Sequence, residues 1–441
     1  MKKLIYSVAA SLLLMLPSCT QDDTIEVTTL AEFATLVAQD NQSIKLMPGT
    51  YKMADYINAD TIQNRVARKD YQYLKFSGNN NSIDMEGVVF EIDTKLRKLL
   101  KHPIHTDEIL LSGDNNTITG LEVKHIGETT SPGGCAFTIN GQNNRVNDLT
   151  LRVQGSAPYG YGDLFGKGKE HVIKHQKHSG LLITGSGTTV SGANIYMRSF
   201  GHAIFIQQGP SDVTLMDCYC EGEMRSTNDV LAETSGPAYD VEFRTWTPNR
   251  EGEFVVTPNY MKSLCEEGFR TYAPCKNLKM INCTAKNTRG GFELRSSSES
   301  VYLENCTAIG CERSFWIGEG AIVKGCKGDA NYGPLLFVEG NNCDVEMSLI
   351  ANESDCQVHS LITVFGTNNT ITLNPYEGIN RTQELPILVG YTQPEHGESM
   401  SPYSQADCTN LKLTNNTSMA VVVGHKSHNH EIESKGEVTN E

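Results

Sequence analysis

The chain has 441 residues, enough for two or three ordinary domains or for one elongated repeat domain. Its 52 acidic against 37 basic side chains give a formal charge of −15, which leaves no basic face for nucleic acid. Hydrophobic residues at 39% with 39 glycines supply a core and exclude a disordered chain, and no apolar run after the leader approaches the ~20 residues of a membrane span.

The first elements are for targeting. Lys2-Lys3, the apolar stretch Leu4–Leu16 and then Leu16-Pro17-Ser18-Cys19 have the order of a secretory signal with small residues before the cut. That ending resembles a bacterial lipobox, which implies removal of residues 1–18 and lipidation of Cys19. Thr20-Gln21-Asp22-Asp23 resembles the acidic surface-export tag of Bacteroides-type lipoproteins. Together they imply an outer-membrane lipoprotein, surface-exposed or periplasmic, with residues 19–27 as a tether.

Thr29-Leu30-Ala31-Glu32 reads as a capping box, and Leu30, Phe33, Ala34 and Val37 form one apolar stripe. A short amphipathic helix is expected there, placed to plug the open end of a stack. The strand Ile44–Tyr51, ending in Pro48-Gly49-Thr50-Tyr51, follows.

From there the chain repeats itself. Short apolar strands closed by Gly and Asn recur, as in Phe76-Ser77-Gly78-Asn79-Asn80, Leu111-Ser112-Gly113-Asp114-Asn115 and Ile139-Asn140-Gly141-Gln142-Asn143. The equivalent anchors continue through Ile183, Ile206, Thr271, Leu294, Ile317, Phe337, Val364, Val389 and Val423, with a base period of about 20 to 25 residues. Strands of three to five residues alternate in and out, as in Phe292-Glu293-Leu294. Stacked as parallel strands ~4.8 Å apart, such coils bury one continuous interior. The fold expected is an all-β, single-stranded right-handed parallel β-helix of about twelve coils, ~50–60 Å long, over residues 28–425, with a polar tail at 426–441. Asparagine tolerates the left-handed turn conformation and can ladder between coils. Of the 13 cysteines, the twelve beyond Cys19 are even in number and would permit disulfides. Cys218, Cys283, Cys306 and Cys326, however, share one place in the repeat, as a column of small interior side chains would.

The order of helix, strand ending in Pro-Gly-Thr-Tyr and coils resembles the opening of the pectin-lyase-like superfamily, particularly its chondroitinase and alginate lyase branch. The likeness is one of architecture and carries no catalytic motif, so it assigns no site residue.

Function must lie where the chain departs from its repeat. Insertions at about 92–107, 154–178 and 222–267 all fall in the same turn, so they stack on one side and wall a neighbouring sheet. The outward positions of that sheet include Leu110, Thr138, Leu182, Phe205, Arg270, Glu293, Trp316 and Leu336, with Gln207, Tyr272 and Arg295 in the next outward column. Rings that stack on sugars and forked donors that hold carboxylates have this composition. The second insertion adds Tyr161, Asp163, Lys174, His175 and Lys177, and ends at His178, one coil from Arg198 and His202.

The expected function is a polysaccharide lyase acting on a uronate-containing glycan by β-elimination. His178 and His202 are its acid–base pair and Arg198, Arg225 and Arg270 its carboxylate clamps. An inverting glycoside hydrolase would instead draw two carboxylates from Asp163, Glu221, Glu223 and Glu293. A non-catalytic glycan-binding β-helix is the third class. Calcium is a possible ligand of Asp163, Glu221, Glu223 and Asp229. The partners expected are a poly- or oligosaccharide and, through Cys19, a membrane; the chain is expected to be a monomer.

Overall fold

A computed structural model describes residues 24–58, 60–61, 63–64, 71–96, 107–129, 134–156, 176–240, 247–248, 254–255, 259–272, 274–295, 301–350, 358–376, 384–392 and 403–441. Cys19 lies outside these residues, as do Tyr161, Asp163, Lys174 and His175.

The chain is a parallel β-helix. Each coil lays down a strand of one sheet, turns, and adds two more strands before the next coil begins; Ile204–Ile206, Thr214–Met216 and Tyr219–Gly222 make one such coil. The first strands of the coils, thirteen from Leu74–Phe76 to Val438–Asn440, pair in one uninterrupted parallel path that forms the site sheet. Phe76, Leu111, Ile139, Ile183, Ile206 and Thr271 fall on a single register. Inside it, Phe269, Phe292 and Phe315 stack face to face, with ring centroids 4.7 and 4.9 Å apart.

One expected anchor is displaced. Trp316 pairs with Phe337 and Ile317 with Val338, so Phe337 points outward and Leu336 inward. The run Leu335–Val338 is apolar throughout because both of its faces are covered, and period two then gives no signal.

The N-terminal helix, Leu30–Leu36, starts at Thr29, whose hydroxyl accepts from the Glu32 amide and donates to the Glu32 carboxylate. Its buried face sets Phe33 edge-on to Phe76 and Phe90, closing the core. The expected tether is partly structured, since Ile25–Val27 pairs with Ile44–Leu46. The expected tail is also part of the stack. Glu431–Ser434 pairs with Lys412–Asn415, and Val438–Asn440 with Val421–Val423. Its polarity belongs to a terminal coil that faces water, as capping repeats do.

Two corners of the coil explain the recurring phrases. After the site sheet, Asn80, Asn115 and Asn143 take left-handed backbone conformations. The next residues, Asn81, Asn116 and Asn144, form a buried ladder in which each amide donates to the following coil's side-chain oxygen, at 2.8 Å for both steps. Between the second and third strands, Asp217, Asn282, Asn305 and Gly325 are left-handed, and the residue after each is Cys218, Cys283, Cys306 or Cys326, buried in the core. All eleven described cysteines are buried. Burial pushes the Cys220 and Cys265 thiols well up. Among the described residues, no helix is long and apolar enough to cross a membrane.

The glycines at the first corner are forced by close approach. A Cβ on Gly113 would lie 1.9 Å from the Gly78 carbonyl oxygen, and one on Gly141 2.0 Å from that of Gly113. Gly113→Ala is therefore expected to destabilise the stack by about 1–3 kcal/mol. Denaturant unfolding measures this, and an unchanged midpoint would contradict such tight coil spacing.

Candidate active site

The expected common turn is where the insertions emerge. Their flanking strands, Ser82–Asp93, Thr150–Gln154 and Tyr219–Gly222 before and Asp107–Leu111, His178–Ile183 and Glu267–Thr271 after, occupy equivalent places in their coils. At the mouth of that turn the strand entries of four coils stack His202, Glu266-Glu267, Arg289 and Glu312-Arg313 on one another.

These groups form a buried ionic lattice. Glu267 contacts Arg289 directly, lies 3.2 Å from Arg313, and approaches His202 Nδ1 to 2.6 Å. Glu266 lies 2.6 Å from Lys177 Nζ and 3.3 Å from Arg289. Glu293 contacts Arg270, sits 2.8 Å from Arg313 and 3.5 Å from Arg295. Burial pushes the Glu267 carboxyl up, but Arg289, His202 and Arg270 outweigh it and hold it well below the usual carboxylate range. The carboxylates therefore form a floor of accepted negative charge.

Above the floor stand the reachable groups. Tyr272 is 42% exposed, and the side chains of Lys177 and Arg295 are 40% and 31% exposed. The Tyr272 hydroxyl lies 2.7 Å from His202 Nε2. Glu267 Oε2 faces Nδ1 at 2.6 Å and Glu266 Oε2 lies 3.4 Å from Nε2; a proton on Nδ1 leaves Nε2 to accept from the phenol. Glu267, His202 and Tyr272 thus stand in one line of close polar contacts, with the hydrogen bond at the Tyr272 end and an ion-pair distance at the Glu267 end. Burial raises the Tyr272 pKa. Burial also pushes the Lys177 ammonium down, but Glu266 and Tyr272 outweigh it and leave its pKa above the usual value. Desolvation lowers the pKa of Arg270 and of Arg295.

No family model and no curated protein matches the chain. Solved structures do. A PL6 alginate lyase in complex with a trisaccharide superposes with a TM-score of 0.50 at 11% identity, covering 94% of this chain and 86% of that one. The alginate lyase AlyF-OU02 with G6 gives a TM-score of 0.50 at 12% identity over 94% and 85% of the two chains. The fold shared with them is the parallel β-helix. At such identities the likeness extends to the fold alone.

The expected site residues part company on this β-helix. His202, Arg270, Glu293, Tyr272, Arg295 and Lys177 come together. Gln207 lies in the outward column one coil before Tyr272, half-buried. His178 does not join them in the lattice; it is buried beside Glu108, with Nε2 3.5 Å from the carboxylate, and edge-on to His125. Arg198 faces a separate groove of about 450 Å³ shared with Lys124, Arg152 and Tyr196, and lies 3.5 Å from Glu223. Arg225 pairs with Glu233 inside the third insertion. Trp316 is an outward residue with no sugar-facing surface: it is 1% exposed, its ring lies 3.9 Å from the Arg295 guanidinium carbon, and its indole donates to Glu339 at 2.8 Å.

Of the calcium ligands proposed from sequence, the three among the described residues each have other partners or stand apart. Glu221 is held by Tyr219 and Lys286, Glu223 faces Arg198, and Asp229 is exposed on the helix Thr227–Leu231. Two other groups bring three ligand atoms together, Glu108/His125/His178 and His202/Glu266/Glu267. The two differ in what their ligand atoms already hold. In the first, His125 Nδ1 accepts from the Gln154 amide, which leaves its proton on the Nε2 that faces Glu108 at 2.6 Å. In the second, Lys177 lies against Glu266 Oε2 and Arg289 against Glu266 Oε1 and Glu267 Oε1, while Glu267 Oε2 faces His202 Nδ1 at 2.6 Å.

Sequence reasoning missed Glu266, Glu267, Arg289 and Arg313. A signal existed: Glu266, Arg289 and Glu312 stand 23 residues apart with alternating sign, and Glu267, Gly290 and Arg313 follow at the same spacing in the next register position. Because Glu267 is depressed in the folded state, its stabilisation is complete above its unfolded pKa, ~4.3, and is lost as pH falls through the folded value. The thermal midpoint should decline below about pH 4.3. Glu267→Gln, which strands buried arginines, should cost about 3–5 kcal/mol at neutral pH. A variant as stable as the parent would contradict the lattice.

Proposed function

We propose that the protein is a carbohydrate-active enzyme that cleaves a uronate-containing polysaccharide by β-elimination. The observation that carries this reading is the division of the site: its carboxylates are buried and committed to cations, while the groups that reach solvent are a phenol, an ammonium and guanidiniums. A hydrolase of the inverting kind needs two carboxyl groups facing the glycosidic bond, one kept protonated. Glu267 is driven the other way, and Glu293 is enclosed by Arg270 and Arg313. Elimination needs what is exposed: cations on the uronate carboxylate, which acidify the α-proton, and a base with a proton path.

Lys177, Arg270 and Arg295 take the carboxylate. The Tyr272 hydroxyl passes its proton to His202 Nε2, and Glu267 stabilises the resulting imidazolium. The phenolate then takes the α-proton, the C–H electrons form the new C=C bond, and the C–O bond to the leaving sugar breaks. The proton on Tyr272 goes to the leaving oxygen, and His202 returns its own to the phenolate. Every proton is accounted for within the relay. That solved β-helix neighbours are described as alginate lyases with bound oligosaccharide supports the substrate class.

The test is turnover on a panel of uronate and neutral glycans, read both as ultraviolet absorbance of an unsaturated uronate and as reducing ends. New absorbance is expected. Tyr272→Phe and His202→Ala should each lower turnover by about 10²–10⁴-fold. Reducing ends without absorbance, or full activity in Tyr272→Phe, would overturn the proposal.

A further inference from the structure

Beyond the catalytic centre, the outer face of the site sheet is closed. One coil along the axis from Glu293 is Trp316, then Phe337, then Thr363, all outward by register. Outward residues of a solenoid ordinarily meet water. Here Phe337 and Thr363 are 0% exposed. The Tyr403 ring packs edge-on against Phe337 at 6.3 Å, His359 packs on Tyr403 at 6.1 Å, and the Ser360 hydroxyl donates to the Tyr403 oxygen at 3.3 Å. These contacts raise a wall across the sheet.

Arg295 stands at the foot of that wall. Its guanidinium is backed by the Trp316 ring and tethered 3.5 Å from Glu293 and 3.7 Å from Glu339, while its side chain remains 31% exposed. A cation held this firmly on an aromatic face keeps one position, which is what recognition of a single carboxylate requires. On the other side of Arg295 lie Tyr272 and Lys177, which are open to solvent.

We propose that the groove ends at Arg295 and that the protein removes short units from a chain end instead of cutting internally. This rests on the reading of the site as a polysaccharide-degrading centre. A glycan lying along the axis advances one coil per ~4.8 Å, and the wall leaves no coil for it beyond Trp316. Arg295 then receives the carboxylate of the sugar at the blocked end, which makes it the residue that decides where a chain is cut.

The experiment digests the polymer that the glycan panel identifies with the full-length protein and follows product size by chromatography from the first per cent of conversion. One short product of constant size, with the remaining polymer near its starting length, is expected. A falling ladder of all intermediate lengths would overturn the proposal. Tyr403→Ala, which lowers the wall, should broaden the product range, whereas Tyr403→Phe should leave it narrow. Arg295→Ala should raise KM at least tenfold with a smaller change in kcat. Equal product profiles for Tyr403→Ala and the parent would count against the wall as the cause. Short products of constant size that lack ultraviolet absorbance would remove the β-elimination reading and leave the closed groove standing.

Discussion

Coils that stack in register ~4.8 Å apart place every side chain directly against its counterpart in the next coil. Groups that tolerate likeness form ladders: asparagines bond to asparagines, phenylalanines stack face to face, and thiols line one corner of successive coils. Charges cannot do this, because two like charges one coil apart in a desolvated stack would repel by several kcal/mol. A stack that brings charge inside must therefore alternate its sign. The column Glu266, Arg289, Glu312 is that solution, with Gly290 separating Glu267 from Arg313 in the column beside it, and only at its ends and edges do polar groups remain to face a ligand.

The chemistry follows from this alternation. Cations from adjoining coils hold Glu267 ionised 2.6 Å from His202 Nδ1, while His202 Nε2 faces Tyr272. The arrangement is preorganised: the groups proposed to move protons are held by partners that are themselves packed in place. The lattice also supplies a local excess of positive charge at the surface in a protein whose overall charge is −15. An anionic chain is thereby drawn to one patch and repelled elsewhere.

Most of the fold was legible because it rests on period. The capping helix, the site-sheet register from Phe76 to Ile317, the asparagine turns and the cysteine corner all repeat, and repetition is visible in one sequence. The slip at Phe337 arose where both faces are buried and alternation vanishes. The site was less legible. Arg270, Tyr272 and Glu293 were found through the outward register, and His202 through its place beside an insertion. Arg198 and Arg225 were misplaced because a turn residue's neighbours depend on how an insertion packs, which no period encodes. His178 and Trp316 were expected to be accessible; Glu108 and His125 enclose the first, and Arg295, Phe337 and Glu339 the second. Long-range cover of this kind leaves no mark in the local pattern.

The claim on which the account turns is that Glu267 fixes the His202 ring so that Nε2 is the proton acceptor for Tyr272. Nitrogen-15 NMR of histidine-labelled protein, assigned with the His202→Gln variant and recorded at the pH of turnover, reads this directly. The account predicts a protonated Nδ1 and a bare Nε2 in the resting protein, with that preference lost in Glu267→Gln. A resting His202 that carries its proton on Nε2 and none on Nδ1 would contradict it.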